Sequence, residues 1–207
     1  MIEDLVLKGR TVRLEPIGLP HVDGLLAAAT ADPSLYQWTV VPQTGAAMQT
    51  YVETAMALRQ LGTGFAFVTV RIEDDAVIGA TRYFDMERWS WPTGHARHAN
   101  PHPDVCEIGY TWLTRSAIRS PANTEAKLMM LTHAFESWQM VRVCLHTDAR
   151  NEQSRAAMER IGCKFEGILR SHRMASDSIP RNSARYSIIA AEWPEAKRRL
   201  VNMAAPR

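Results

Sequence analysis

Arg115 and Arg119 stand in Thr114 to Asn123, just ahead of a candidate helix start at Thr124-Glu125. A helix start exposes unpaired backbone N–H groups at the positive end of its dipole. Two guanidinium groups beside such an end make a seat for a phosphorylated ligand. The same residues also read as an ordinary βα turn with solvated arginines, and local sequence alone favours that plainer reading. Upstream, Glu107 is a carboxylate flanked by the apolar Cys106 and Ile108, a setting in which acid–base groups are tuned; the plain alternative is a strand-end residue in a salt bridge. Downstream, Asn151 and Ser154 open a helix; asparagine is a preferred cap and serine is tolerated in a first turn. Trp38, Trp89, Trp91 and His95 can bracket a cation with their π-clouds, or serve as core or as a dimer contact. His95, His98 and His102 follow H-x-x-H-x-x-x-H with no acid between them. That spacing is loose for a metal, so a substrate-contacting or solvated loop ranks above a metal site, and no metal is expected.

These groups need elements to hold them. Val105 to Leu113 is rich in strand-favouring types, and Pro121 ends that signal. Leu128, Leu131, Phe135 and Trp138 recur at spacings of three and four, the stripe of an amphipathic helix. Met140 to Thr147 reads as a second apolar strand, Asn151 to Ile161 as a helix stopped by Gly162, and Cys163 to Arg170 as a strand. Ser171 to Ser183 reads as a polar linker, Ala184 to Ala191 as the last strand, and Trp193-Pro194 as the start of a final helix. Before the centre, Thr11 to Glu15 alternates like a half-exposed strand. A short helix follows over His21 to Ala29, and a helix over Ala46 to Leu61. Gly64 to Ile72 and Ala76 to Glu87 form a hairpin about Glu73-Asp74-Asp75, with Gly79 marking a bulge or close approach. Trp89 to Pro103 is a loop. An antiparallel half followed by a parallel crossover half gives one mixed-sheet α/β domain over residues 1–207.

The length of 207 residues suits a single domain, and 46% apolar with 22% charged residues is the balance of a soluble globular chain. A net charge of +2 and scattered arginines argue against a nucleic-acid partner. No apolar run is long enough to cross a bilayer, and the acidic opening MIEDLVLKGR lacks the form of a secretory signal. Cys106, Cys144 and Cys163 are odd in number and never spaced as C-x-x-C, which argues against a zinc or disulfide framework; Cys106 and Cys144 read as buried thiols. A reducing cytoplasm is the expected compartment.

Four segments resemble one family. The opening LKGRTVRLEPI, the central EIGYTWL, the segment NEQSRAAMERIGCKFEG and the tail YSIIAAEWPEAK are similar, in this order, to the GNAT superfamily of acyl-CoA-dependent N-acyltransferases. They most resemble its RimJ/RimL-like branch, the type that acetylates ribosomal-protein N-termini. The most specific part is N-x-x-S-x-x-x-M-E-x-I-G-x-x-x-E-G. The resemblance implies a GNAT fold: a mixed sheet of about seven strands, splayed between the fourth and fifth, with helices on both faces. It implies acetyl-CoA as acyl donor, with other acyl-CoA donors open, and its pantetheine in the split against the backbone of Tyr110, Trp112 and Leu113. Residues Thr114 to Thr124 would be the diphosphate loop. The family loop usually reads R/Q-x-x-G-x-G/A, whereas RSAIRSPANTEAK here has no glycine. Arg115, Arg119, Asn123 and Thr124 are therefore expected to share the work that glycine amides do elsewhere.

The resemblance further implies Glu107 as general base, a backbone N–H near Trp112 or Leu113 as oxyanion contact, Asn151 on pantetheine and Ser154 near the sulfur. Relatives often carry a tyrosine acid after this asparagine; none stands between Asn151 and Phe165, which leaves Ser154 or water to protonate the thiolate. Lys127 either reaches a CoA phosphate or is a solvated helix lysine. Trp38, Trp89 and Tyr186 would wall the acceptor side, with packing ranked first for Tyr186. The acceptor is a primary amine, either a protein N-terminus or a small molecule. Succinyl transfer needs one more cation, for which Arg82, Arg88 and Arg97 are available. A homodimer is left open. A second class of function, an inert CoA-binding or ligand-sensing domain, stands beside the enzyme, and the glycine-free loop is what supports it.

Overall fold

The computed structural model describes residues 5–205. The acidic first four residues, on which the signal-peptide reading partly rests, lie outside them. A hairpin of β1 (Leu7–Lys8) and β2 (Val12–Pro16) opens the sheet. Its turn is fastened by a carboxylate far along the chain. Glu125 accepts hydrogen bonds from the backbone N–H of Arg10, Thr11 and Val12 and from the Thr11 hydroxyl, at 2.5–3.0 Å. Helices α1 (Val22–Thr30) and α2 (Gly45–Gln60) follow. Then β3 (Phe65–Arg71) and β4 (Val77–Glu87) form the expected hairpin, and β5 (Val105–Leu113) completes the antiparallel half.

Strand alternation explains why two cores form. In β3, Phe65 and Phe67 join one cluster with α3 (Ala122–Thr132) and α5 (Trp193–Ala204). The intervening Ala66, Val68 and Val70 join the other, under α1 and α2. A strand buried on both faces reads as a near-continuous apolar run, as this one does.

After α3 the chain forms β6 (Arg142–Asp148), α4 (Glu152–Arg160), β7 (Lys164–Met174) and β8 (Pro180–Ile189). The sheet order is β1-β2-β3-β4-β5-β6-β8-β7, eight strands among the described residues. Two expectations are corrected. The sheet has one strand more than seven, because Leu7–Lys8 pairs with Leu14 and Arg13. The presumed linker Ser171 to Ser183 is the middle of a hairpin, with Arg173 opposite Arg181 and Met174 opposite Pro180. Its side chains are largely exposed, so no apolar alternation announces a pairing that backbone groups alone make.

The splay stands between β5 and β6, the fourth and fifth strands if the two-residue β1 is set aside. Their parallel pairing covers only Val105–Arg142, Cys106–Val143 and Glu107–Cys144, whereas β6 stays paired with β8 along its whole length. Just past the last pair, β5 bulges. Gly109 opposes Arg82 and Trp112 opposes Ala80, so Tyr110 and Thr111 share the single partner position of Thr81. Tyr110 has φ 51°. A bulge bends and twists its strand, and it lies where β5 leaves β6.

Candidate active site

The parted strands enclose a cleft of about 340 Å³, within the size range of small-molecule sites. Beyond Glu107, the edge of β5 that faces the gap has no strand partner among the described residues. A ligand that offers alternating amides can pair there as a strand would. At one end the cleft meets the start of α3 through Ile118, Asn123 and Thr124. Ser120 Oγ accepts from the Ala122 N–H at 3.2 Å, while the N–H groups of Asn123 and Thr124 find no acceptor among the described residues. The buried Asn123 Oδ1 also has no partner. The helix start is therefore open to an anion.

Across the gap, the β6–α4 turn supplies Asn151 and Ser154. Asn151 Oδ1 accepts from the Ser154 N–H at 3.0 Å, so Asn151 caps α4 and lines the cleft at once. Ser154, Met158 and Ile161 continue this wall.

A buried cation also lines the cleft, on the same face as α3. Lys127 is 6% exposed; its Nζ donates to Thr111 Oγ1 at 2.8 Å and to Thr81 Oγ1 at 3.3 Å. No carboxylate meets it among the described residues, and burial lowers its pKa to about 8. This corrects the reading of Lys127 as a solvated helix lysine: its ammonium is buried against the two threonine hydroxyls.

The opposite face of β5 carries Glu107. Glu107 and Cys144 are paired across the strands, and His146 is two residues beyond Cys144, so parallel register brings Glu107 and His146 onto one face. Glu107 Oε2 stands 2.5 Å from His146 Nδ1, both side chains 93–95% buried. The approach lies off the ring N–H direction, which leaves both ring nitrogens without a directed hydrogen bond, and His146 lines the cleft. The His172 ring is 5.1 Å away, its pKa lowered chiefly by burial and then by Arg173. Arg173 lies 3.7 Å from Glu107 and 2.9 Å from Asp85. The cleft-lining Arg181 has its pKa lowered by burial.

Of the expected site residues, Tyr110, Trp112, Leu113, Asn123, Thr124, Asn151, Ser154 and Trp38 line the cleft, and Glu107 backs His146. Trp38 carries the Arg150 guanidinium 5.1 Å above its ring. Four are placed elsewhere. Arg115 turns outward to Asp32, 2.6 Å away, because a nearby carboxylate offers an exposed guanidinium a direct partner. Arg119 is exposed at φ 62° and outside the cleft lining. Trp89 sits in the loop that winds onto Asp104, which accepts from the Trp89 N–H, Trp91 Nε1 and Arg97 Nε at 2.8–2.9 Å; His95 stacks on Trp91 in the same knot. Tyr186 is fully buried, its hydroxyl donating to Glu159 at 3.0 Å and accepting from Arg155 at 3.1 Å. The packing reading of Tyr186 holds. His146, Arg181 and Thr111 escaped sequence reasoning. The available signal was a histidine two residues past Cys144 in an otherwise apolar strand.

Residues 11–164 match the family described as acetyltransferase (GNAT) domain. A Bacillus subtilis (strain 168) protein, YdaF, provisionally named a ribosomal N-acetyltransferase, is 33% identical over 91 residues, 44% of this chain and 49% of that protein. The match thus spans about half the length of that relative. A GCN5-related N-acetyltransferase structure from Brucella melitensis is 27% identical, with a TM-score of 0.83 over 99% of this chain and 87% of its own. Mycobacterium smegmatis RimJ, solved with CoA-disulfide, shares the fold at 22% identity, with a TM-score of 0.77 over 95% of this chain and 90% of its own.

Proposed function

This chain belongs to the GNAT acetyltransferase domain family, and on that premise we propose that it transfers acetyl from acetyl-CoA to a primary amine by direct attack in a ternary complex. The observation that carries the reading is the three-pair contact between β5 and β6, which leaves a strand edge free beside the open N–H groups of Asn123 and Thr124 at the start of α3. The residues fit the donor. The open N–H groups of Asn123 and Thr124 suit a diphosphate, the free edge of β5 suits the amides of pantetheine, and Asn151 lies opposite. That the RimJ neighbour was solved with CoA-disulfide supports the same seat.

Amine acylation needs a neutral nucleophile, a polarised carbonyl and a leaving group able to depart. Glu107 and His146 form the pair that takes the amine's proton, directly or through water. The irregular backbone at Tyr110 to Trp112 offers the N–H for the carbonyl oxygen. Trp38, Arg181 and Tyr110 shape the acceptor side. A protein N-terminus and a small amine both fit, and the RimJ/RimL-like branch favours the former. The enzyme acts as one domain in the cytoplasm, a compartment that suits its three free, buried thiols.

The test is release of free CoA thiol from acetyl-CoA with a panel of N-terminal peptides and small amines. Turnover is expected, and Glu107→Gln should lower kcat by about a hundredfold or more, the scale of lost general-base catalysis. CoA binding without release for any acceptor would establish the ligand-sensing alternative. Succinyl transfer is favoured by one observation. Arg82 is 6% exposed, stacked 4.1 Å from the ring of the cleft-lining Tyr110 and 5.0 Å from the Tyr51 ring, with no carboxylate partner among the described residues. Succinyl-CoA in the same assay decides that reading.

A further inference from the structure

We propose that Lys127 is the proton donor to the thiolate that leaves the acyl donor, an inference that rests on the transferase reading above. Four observations converge on it. First, the side chain is an ammonium buried against two threonine hydroxyls, with no anion beside it among the described residues. An unpaired buried charge is costly, and a methionine or leucine would fill the same space without that cost. Second, Lys127 lines the cleft together with Ser154, Met158 and Ile161 of the facing wall, and so does Thr111, to which its Nζ donates. Its titratable neighbour is Cys163, just past α4, whose thiol burial holds at about 12.

Third, strand alternation sets Lys127 and the acceptor's base on opposite sides of the gap. Ile108 packs with α3 while Trp112 packs with α1 and α2, and across the bulge Thr111 meets Lys127 on the α3 face. Glu107 and Tyr110 belong to the other face, where Tyr110 packs edge-on to Phe84. The amine enters from one side and the sulfur departs on the other. Fourth, α4 offers no tyrosine between Asn151 and Phe165, so the wall that faces Lys127 lacks a phenol acid.

The step balances. The amine nitrogen forms the C–N bond, the C–S bond breaks, and its electron pair goes to sulfur. Lys127 gives that sulfur a proton and becomes a neutral amine. The proton lost by the acceptor passes through Glu107 and His146 to solvent, and solvent returns one to Lys127. Burial already brings the ammonium down to about 8, close to an ordinary thiol, so transfer between them is near balance.

The experiment titrates the thiol of CoA bound to the wild-type protein and to Lys127→Met, following the ultraviolet absorbance of the thiolate. A neighbouring ammonium should hold the bound thiol below free CoA, with about tenfold more thiolate at a given pH below its midpoint. Lys127→Met should erase that difference while still binding CoA. Lys127→Gln, neutral but able to bond both threonines, should behave as Lys127→Met does, which separates charge from packing if one variant folds poorly. In turnover both should lower kcat by about a hundredfold with the KM for acetyl-CoA little changed. Identical thiol titrations in wild type and both variants, with CoA bound, would overturn the proton-donor role alone. Failure of the wild type to bind CoA would overturn both this role and the transferase reading.

Discussion

Removing the Lys127 charge should stabilise the protein, and by an amount that depends on pH. Its ordinary pKa of 10.5 is lowered to about 8 by burial. The unfolded state therefore holds this proton more tightly than the folded state, and folding is opposed while both are protonated. The penalty is complete below the folded value and fades as pH climbs from about 8 toward 10.5. By linkage it comes to about 3 kcal/mol near pH 7 and about 2 kcal/mol near pH 9. Lys127→Met deletes the titration and keeps an unbranched, apolar side chain beside Met130. Thr81 and Thr111 retain their mutual hydrogen bond of 2.8 Å. The assay is urea unfolding of both proteins at the two pH values, compared as a difference so that all other titrations cancel. The variant should be the more stable at both, its lead shrinking by about 1 kcal/mol as pH rises. A constant gap across that range, or a less stable variant, would refute the reasoning that Lys127 is an unpaired buried ammonium.

Two further outcomes follow from the same geometry. Gly79 has φ 154°, and a Cβ there would lie 2.0 Å from the Trp112 carbonyl oxygen; Gly79→Ala should cost about 2 kcal/mol or more, lower the thermal midpoint and weaken CoA binding, because the displaced strand is the one that frames the cleft. Asn151→Ala removes the cap on α4 and should cost about 1 kcal/mol. Asn151→Asp keeps the cap and should keep stability, yet calorimetry should show weaker CoA binding because a carboxylate now faces the gap. Equal CoA affinity for Asn151→Asp and wild type would remove Asn151 from the binding site.

The amino-acid pattern by itself determined the class of fold. Apolar runs at periods of two and of three to four are local signals, and they marked the strands and helices around the centre well. The cap at Asn151 is local too, since its partner lies three residues away. The polar hairpin of β7 and β8 escaped because backbone pairing between exposed strands leaves no hydrophobic trace. The present partner of Arg115 was hidden for a related reason: which anion a guanidinium meets depends on who comes near, and Asp32 is 83 positions from Arg115.

Tertiary structure alone decided three matters. It set where β5 and β6 part, since the bulge at Tyr110 and Thr111 is defined by the register of β4 beside it. It joined Glu107 to His146, because parallel register after the α3 crossover brings distant residues level. And it buried Lys127, whose type belongs on a helix surface until the sheet closes over it. Each is a statement about which neighbour arrives across space. Sequence fixes what a side chain can do, but its charge, exposure and partner are set by the elements packed around it.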